Sequence, residues 1–101
     1  MKPKSNQTKS RPRRSAQVIW QRVGRKAILL NIEDGSYFEV DPVGLAIWRG
    51  CDGSKDVHRI SRDVARQFRV SQERVRRDVI GYLGKLTREN LLVSLPPGSD
   101  R

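Results

Sequence analysis

At Asp41-Pro42 the sequence changes its grammar, and that junction constrains the fold more than any other feature. Before it, short apolar runs are divided by turn dipeptides. Val18, Ile19, Trp20 and Val23 form a β-prone run with polar Gln21 and Arg22 inside it. Gly24-Arg25 breaks that run as a tight turn would. Ala27, Ile28, Leu29, Leu30 and Ile32 follow, and then Asp34-Gly35, a two-residue hairpin signal because both positions tolerate φ > 0. Ser36, Tyr37, Phe38, Glu39 and Val40 read as a third strand. The expectation is a three-stranded antiparallel β-meander. After the junction the apolar spacing becomes three and four. Asp41 is a good N-cap, and Pro42 at the first helical position has its φ preset and no N–H to leave unpaired. The helix runs through Leu45, Ile47 and Trp48 to a stop at Asp52-Gly53. Asp56 caps a second helix with Val57, Ile60, Val64, Ala65 and Phe68 on one face. Ser71 caps a third, lined by Val75, Val79, Tyr82, Leu83 and Leu86 and ended by a left-handed Asn90. Leu91-Leu92-Val93 is a last apolar segment before Pro96-Pro97-Gly98. The fold class is α+β: a meander followed by three helices. The second and third helices, joined by Arg69-Val70-Ser71, make it winged helix-turn-helix-like.

Charge is the other strong signal. The 101 residues have room for one small domain and carry a formal net charge of +10. Lys2, Lys4, Lys9, Arg11, Arg13 and Arg14 fall in the first fourteen residues, which hold no acid and only Met1 as an apolar side chain. Such a segment buries too little to offset its ordering entropy, so residues 1–15 are expected to be a disordered basic tail. Residues 16–95 are then the domain and 96–101 a C-terminal tail. Without the first fourteen residues the charge is +4. The tail suits nucleic acid, an acidic partner or simple solubilisation.

Catalytic chemistry finds little footing. Cys51 and His58 are single, so no disulfide framework and no His/Cys metal cage is expected. Cys51 reads as a structural thiol and His58 as an exposed side chain on the polar side of its helix. No glycine-rich phosphate loop follows a strand, and the acids are scattered singly. No run is long and apolar enough for a membrane span, and the basic N-terminus lacks the apolar stretch of a secretory signal. The expectation is a cytoplasmic binding module with no catalytic residue, metal or cofactor.

Residues from Val18 to Leu95 resemble the PqqD (PQQ synthesis protein D) family, which is also the peptide-recognition element of many ribosomal-peptide modification systems. Gly35-x-Tyr37-Phe38-x-Val40-Asp41 is similar to the family's third strand and first cap, and Gly44-x-Ala46-Ile47-Trp48 to its first-helix motif. Asp52-Gly53 with Val57 and Ile60 follows. Phe68-x-Val70, Asp78-Val79, Tyr82-Leu83, Leu86 and Leu91-Leu92 then resemble its closing pattern. Two positions depart. Asp56 stands for the usual Thr cap, and Arg59 stands where an acid would complete a capping box.

The resemblance implies that the chain holds the leader of a precursor peptide and presents it to a modifying enzyme. That enzyme would be a radical SAM maturase, or a protease or cyclase as in lasso-peptide systems. It places the peptide as an added strand between the third strand, Ser36, Tyr37, Phe38, Glu39 and Val40, and the third helix, Gln72 to Arg88. On that helix Arg74, Asp78, Tyr82 and Lys85 form the stripe expected to flank the peptide. Arg74 and Lys85 would meet leader carboxylates, and Asp78 a leader amide or base. The rival reading is a winged-helix DNA-binding protein, with Arg74, Arg76 and Arg77 at the start of a recognition helix. The sequence leaves the oligomeric state open.

Overall fold

A computed structural model describes residues 11–95 of the chain. In order, the elements are β1 (Arg11–Arg14), β2 (Val18–Val23), β3 (Lys26–Asn31), β4 (Tyr37–Val40), α1 (Pro42–Gly50), α2 (Val57–Phe68), α3 (Gln72–Arg88) and β5 (Leu92–Leu95). The expected meander is the sheet β2-β3-β4, antiparallel throughout, and the three expected helices follow it.

The turns explain the register. Gly24 adopts φ 66° between Val23 and Lys26, so β2 and β3 pair through a two-residue turn. The Asp34-Gly35 hairpin forms with a longer loop than two residues. β3 stops at Asn31 and β4 starts at Tyr37, which leaves Ser36 in the loop and not in the strand. The reason is a set of competing side-chain bonds. Asn31 Oδ1 accepts the Glu33 N–H at 2.8 Å. Asp34 Oδ1 accepts both the Ser36 N–H and its hydroxyl.

The caps behave as the sequence predicts. Asp41 accepts from the Gly44 N–H, Asp56 from Arg59 and Ser71 from Arg74. Arg59 turns its side chain toward Asp63, at 3.8 Å. Asn90 is left-handed at φ 63°, and the Leu91 N–H returns to Leu86 O. Arg69 is left-handed too, at φ 58°, and ends α2. One core joins the sheet to the helices: Ala27, Leu29 and Val40 from the sheet meet Ile47 and Trp48 of α1, Ile60 and Val64 of α2, and Val79 and Leu86 of α3. Trp20 packs edge-on against fully buried Trp48 at 6.4 Å. Cys51 is fully buried, its thiol on Ile47 O at 3.2 Å, and burial pushes that thiol up to about 12. His58 is exposed and sits 3.3 Å from Gln72.

The basic N-terminal segment is the main correction. Residues 1–10 and 96–101 lie outside the described residues, but Arg11–Arg14 form β1, paired antiparallel with β5. Pro12 is buried. The Arg14 guanidinium donates to Trp48 O at 3.1 Å and Arg49 O at 3.0 Å, and lies 6.0 Å from the Trp48 ring. It thereby supplies donors and positive charge to the carbonyl end of α1. Composition marked these residues as unable to bury apolar surface. They are ordered instead by backbone pairing with Leu92–Leu95, a long-range partner that a local reading does not see. Residues 11–95 hold 17 basic and 10 acidic side chains, a net +7.

Candidate functional site

β4 is an edge strand: within its sheet it pairs only with β3. Backbone alternation tells which of its groups point outward. The Asn31 N–H donates to Ser36 O at 2.9 Å, and the register from there is unbroken: Leu30 opposite Tyr37, Leu29 opposite Phe38, Ile28 opposite Glu39, Ala27 opposite Val40. In an antiparallel ladder hydrogen-bonded pairs alternate with non-bonded ones. Phe38 and Val40 therefore direct their backbone groups at β3, while Tyr37 and Glu39 direct theirs away from the sheet. Their side chains alternate in the other dimension. Val40 is buried and Phe38 half-buried against the core; Tyr37 and Glu39 are exposed, and Glu39 meets Lys26 at 3.3 Å.

Facing this edge is α3, and between them runs a groove of about 580 Å³. Of the residues expected there, Phe38, Glu39, Val40, Asp78, Tyr82 and Lys85 line it. Ser36, Tyr37 and Arg74 do not. Ser36 belongs to the hairpin loop, Tyr37 points its side chain to solvent (71% exposed), and Arg74 sits a turn too early on α3. The groove is shifted toward the C-terminal end of α3, where Arg77, Gly81, Leu86, Glu89 and then Leu91 join the wall. Buried Asn31 is one cause: its Nδ2 donates to Asn90 O at 3.3 Å and ties the β3–β4 hairpin to the end of α3. The spacing of three and four that marked the α3 stripe gives a helix face but not its longitudinal position.

Asp41 and Val43 complete the groove, and neither was expected there. Asp41 is an N-cap whose Oδ1 also accepts the Tyr82 hydroxyl at 2.8 Å. Partial burial first, then the Asp41 hydrogen bond and charge, push the Tyr82 phenol up to about 12. Gly44 is what lets the ring lie there: a Cβ at this position would stand 2.7 Å from the Tyr82 ring. The motif Asp41-x-x-Gly44 in the sequence, read with Tyr82, was the available signal. At Gly81, by contrast, an added Cβ would meet nothing within 4 Å, so this glycine opens the groove instead of fitting a neighbour.

The groove's charge is unlike that of the chain. Glu39, Asp41, Asp78 and Glu89 oppose only Arg77 and Lys85. Among the described residues neither Arg74 nor Asp78 closes an ion pair, although the two stand four residues apart on α3. Among those residues, too, no group of three His, Cys, Asp or Glu side chains could hold a metal ion.

The fold has known counterparts. TbiB1 in complex with the TbiA(beta) leader peptide is similar at 28% identity and TM-score 0.71, over 79% of this chain and 93% of that one. A lasso peptide synthetase B1 complexed with its leader peptide shares 12% identity at TM-score 0.71, over 82% and 98%. The solution structure of the PqqD truncation of Methylobacterium extorquens PqqCD shares 21% at TM-score 0.68, over 81% and 87%. It is described as a functional, stand-alone recognition element for ribosomally synthesised and post-translationally modified peptides. A comparison with curated proteins finds no match. The sequence profile of coenzyme PQQ synthesis protein D matches residues 26–92, from the start of β3 into β5, which takes in both walls of the groove. With sheet, helices and profile in agreement over that span, the chain belongs to the PqqD family.

Proposed function

We propose that this chain binds the leader segment of a ribosomally made precursor peptide in the groove between β4 and α3 and presents the precursor to a modifying enzyme. The observation that carries this reading is the free edge of β4 beside an open groove. Tyr37 and Glu39 offer outward N–H and C=O groups, and an extended peptide satisfies them by adding as a strand. The similarity to TbiB1, which is complexed with a leader peptide, supports it. Alternate leader side chains would enter the groove against Phe38, Tyr82 and Leu86. Four carboxylates against two bases favour a leader with a cationic residue at the groove, beside Asp78 or Glu39; Lys85 and Arg77 remain for a leader carboxylate. Arg74 has no part in this arrangement. The chain itself acts without catalysis, and the enzyme it serves is a radical SAM maturase or a leader protease or cyclase. No helix among the described residues is long and apolar enough to cross a membrane.

Gly81→Leu tests the reading. A Cβ at Gly81 meets nothing within 4 Å, and replacing a mid-helix glycine by a good helix former favours α3 by up to about 1 kcal/mol. Titrating the labelled leader of a precursor encoded in the gene's neighbourhood should show micromolar or tighter binding to the wild-type chain. Gly81→Leu should lower that affinity at least about tenfold while raising the melting temperature. Unchanged affinity in the folded variant overturns the groove as the site.

A further inference from the structure

α1 also walls a second depression, of about 250 Å³, which shares no lining residue with the groove. Three arginines surround it: Arg22 and Arg25 from the β2–β3 hairpin and Arg49 from the last turn of α1. Between them lie buried Leu45 and half-buried Pro42, Ala46 and Phe68, with exposed Gln67 as a further polar side chain. No acid lines it. Arg49 has a local reason to be there, since a cation suits the C-terminal end of a helix. Arg22 and Arg25 have no such reason. The Arg22 Nε–H reaches only Gly24 O, at 2.9 Å, and among the described residues none of the three arginines closes an ion pair. Asp63, which with Arg49 lines an adjoining depression, is already held by Lys55 at 3.1 Å and Arg59 at 3.8 Å. Among the described residues, these three like charges around one partly apolar hollow thus have no counter-charge.

We propose that this cleft docks an acidic segment of a partner protein, with two or three carboxylates on the arginine forks and an apolar side chain on the Leu45–Phe68 floor. The guanidinium fork matches a carboxylate bidentately, and the apolar part of the hollow supplies what a free anion would not use. A nucleic-acid backbone fits less well. It presents charges in a long run and calls for a basic stripe, whereas these three cations converge on a single hollow. The inference does not depend on the groove between β4 and α3, and either fails without the other.

The test is an NMR titration of the full-length chain with an acetylated, amidated hexapeptide of alternating glutamate and leucine. Saturable shifts are expected at the Nε–H groups of Arg22, Arg25 and Arg49 and at the Ala46 and Leu45 methyls. The triple variant R22Q/R25Q/R49Q replaces three exposed side chains, so it should fold, and should weaken binding about tenfold or more. Four results overturn the proposal: no saturable shift at millimolar peptide; equal shifts with inorganic phosphate, which means a bare anion site; shifts that fall on Asp78 and Gly81 instead; or tighter binding of duplex DNA through the same three arginines.

Discussion

The groove and the arginine cleft share α1 as a wall and are opposite in charge and construction. The groove sets four acids against two bases; the cleft has three arginines and no acid. The groove's frame is tied down at several points. Tyr82 is bonded to the α1 cap Asp41 and packed on Gly44, and Asn31 joins the β3–β4 hairpin to Asn90. The cleft's charged groups are exposed side chains whose only framework is the hairpin and helix that carry them. The difference separates two kinds of recognition. The groove is preorganised for a backbone, while the cleft offers exposed guanidinium forks to charged side chains. It also shows that the net charge of +10 describes the outside of the molecule and not its groove.

If the frame of the groove is structural and the cleft is not, substitutions at the two places should divide by stability. The largest loss is expected for Gly44→Val, whose side chain must displace the Tyr82 ring; overpacking of this kind costs about 2–3 kcal/mol, read as a shift in the urea midpoint. Asn31→Ala comes next. It removes a buried side chain and leaves the part-buried Glu33 N–H and Asn90 carbonyl without their partner, and should cost about 1–2 kcal/mol. Tyr82→Phe at neutral pH should cost at most about 1 kcal/mol, since the bond from its hydroxyl to Asp41 is exposed to solvent. Arg22→Ala and Arg25→Ala should stay within about 0.5 kcal/mol of wild type. An arginine variant as destabilised as Gly44→Val would erase the distinction.

Alkaline pH sharpens the same comparison. The Tyr82 phenol is raised from 10 and the Cys51 thiol from 9, each to about 12, so the folded chain keeps protons that the unfolded chain has lost. Their contributions are complete below pH 9 and decline as pH rises from there toward 12. Urea midpoints measured across that window should fall for the wild type and fall less for Tyr82→Phe and Cys51→Ala. Equal slopes in all three would remove these two groups as the cause. At neutral pH the buried thiol should resist alkylation until the protein unfolds.

Much of the fold was legible because its signals are local. The Gly24-Arg25 turn, the Asp41-Pro42 start, the Asp56 and Ser71 caps and the left-handed Asn90 each act over a few residues and are found where the sequence puts them, whereas the Asp34-Gly35 turn opens into a five-residue loop. What escaped is long-range. Pairing of β1 with β5, the Arg14 cap on α1 and the Asn31–Asn90 tie join residues 34 to more than 80 positions apart, and no periodicity announces them. The site divided in the same way. The strand and helix that form its walls followed from pattern, but the longitudinal position of α3 decides that Arg77 and Glu89 line the groove and Arg74 does not. Alternation told which side chains share a face. Only the hairpin closure at Asn31 and Ser36 shows that Tyr37 and Glu39, not Val40, hold the outward backbone groups. The duplex-DNA reading rested on the arginines early in α3, and nothing in the comparisons supports it.

Amide hydrogen exchange on the leader-bound chain addresses strand addition most directly. The Tyr37 and Glu39 N–H groups should slow markedly when the leader binds, while those of Phe38 and Val40, already bonded to β3, should change little. A leader that binds tightly and leaves Tyr37 and Glu39 exchanging as in the free chain would contradict a peptide added to the edge of β4.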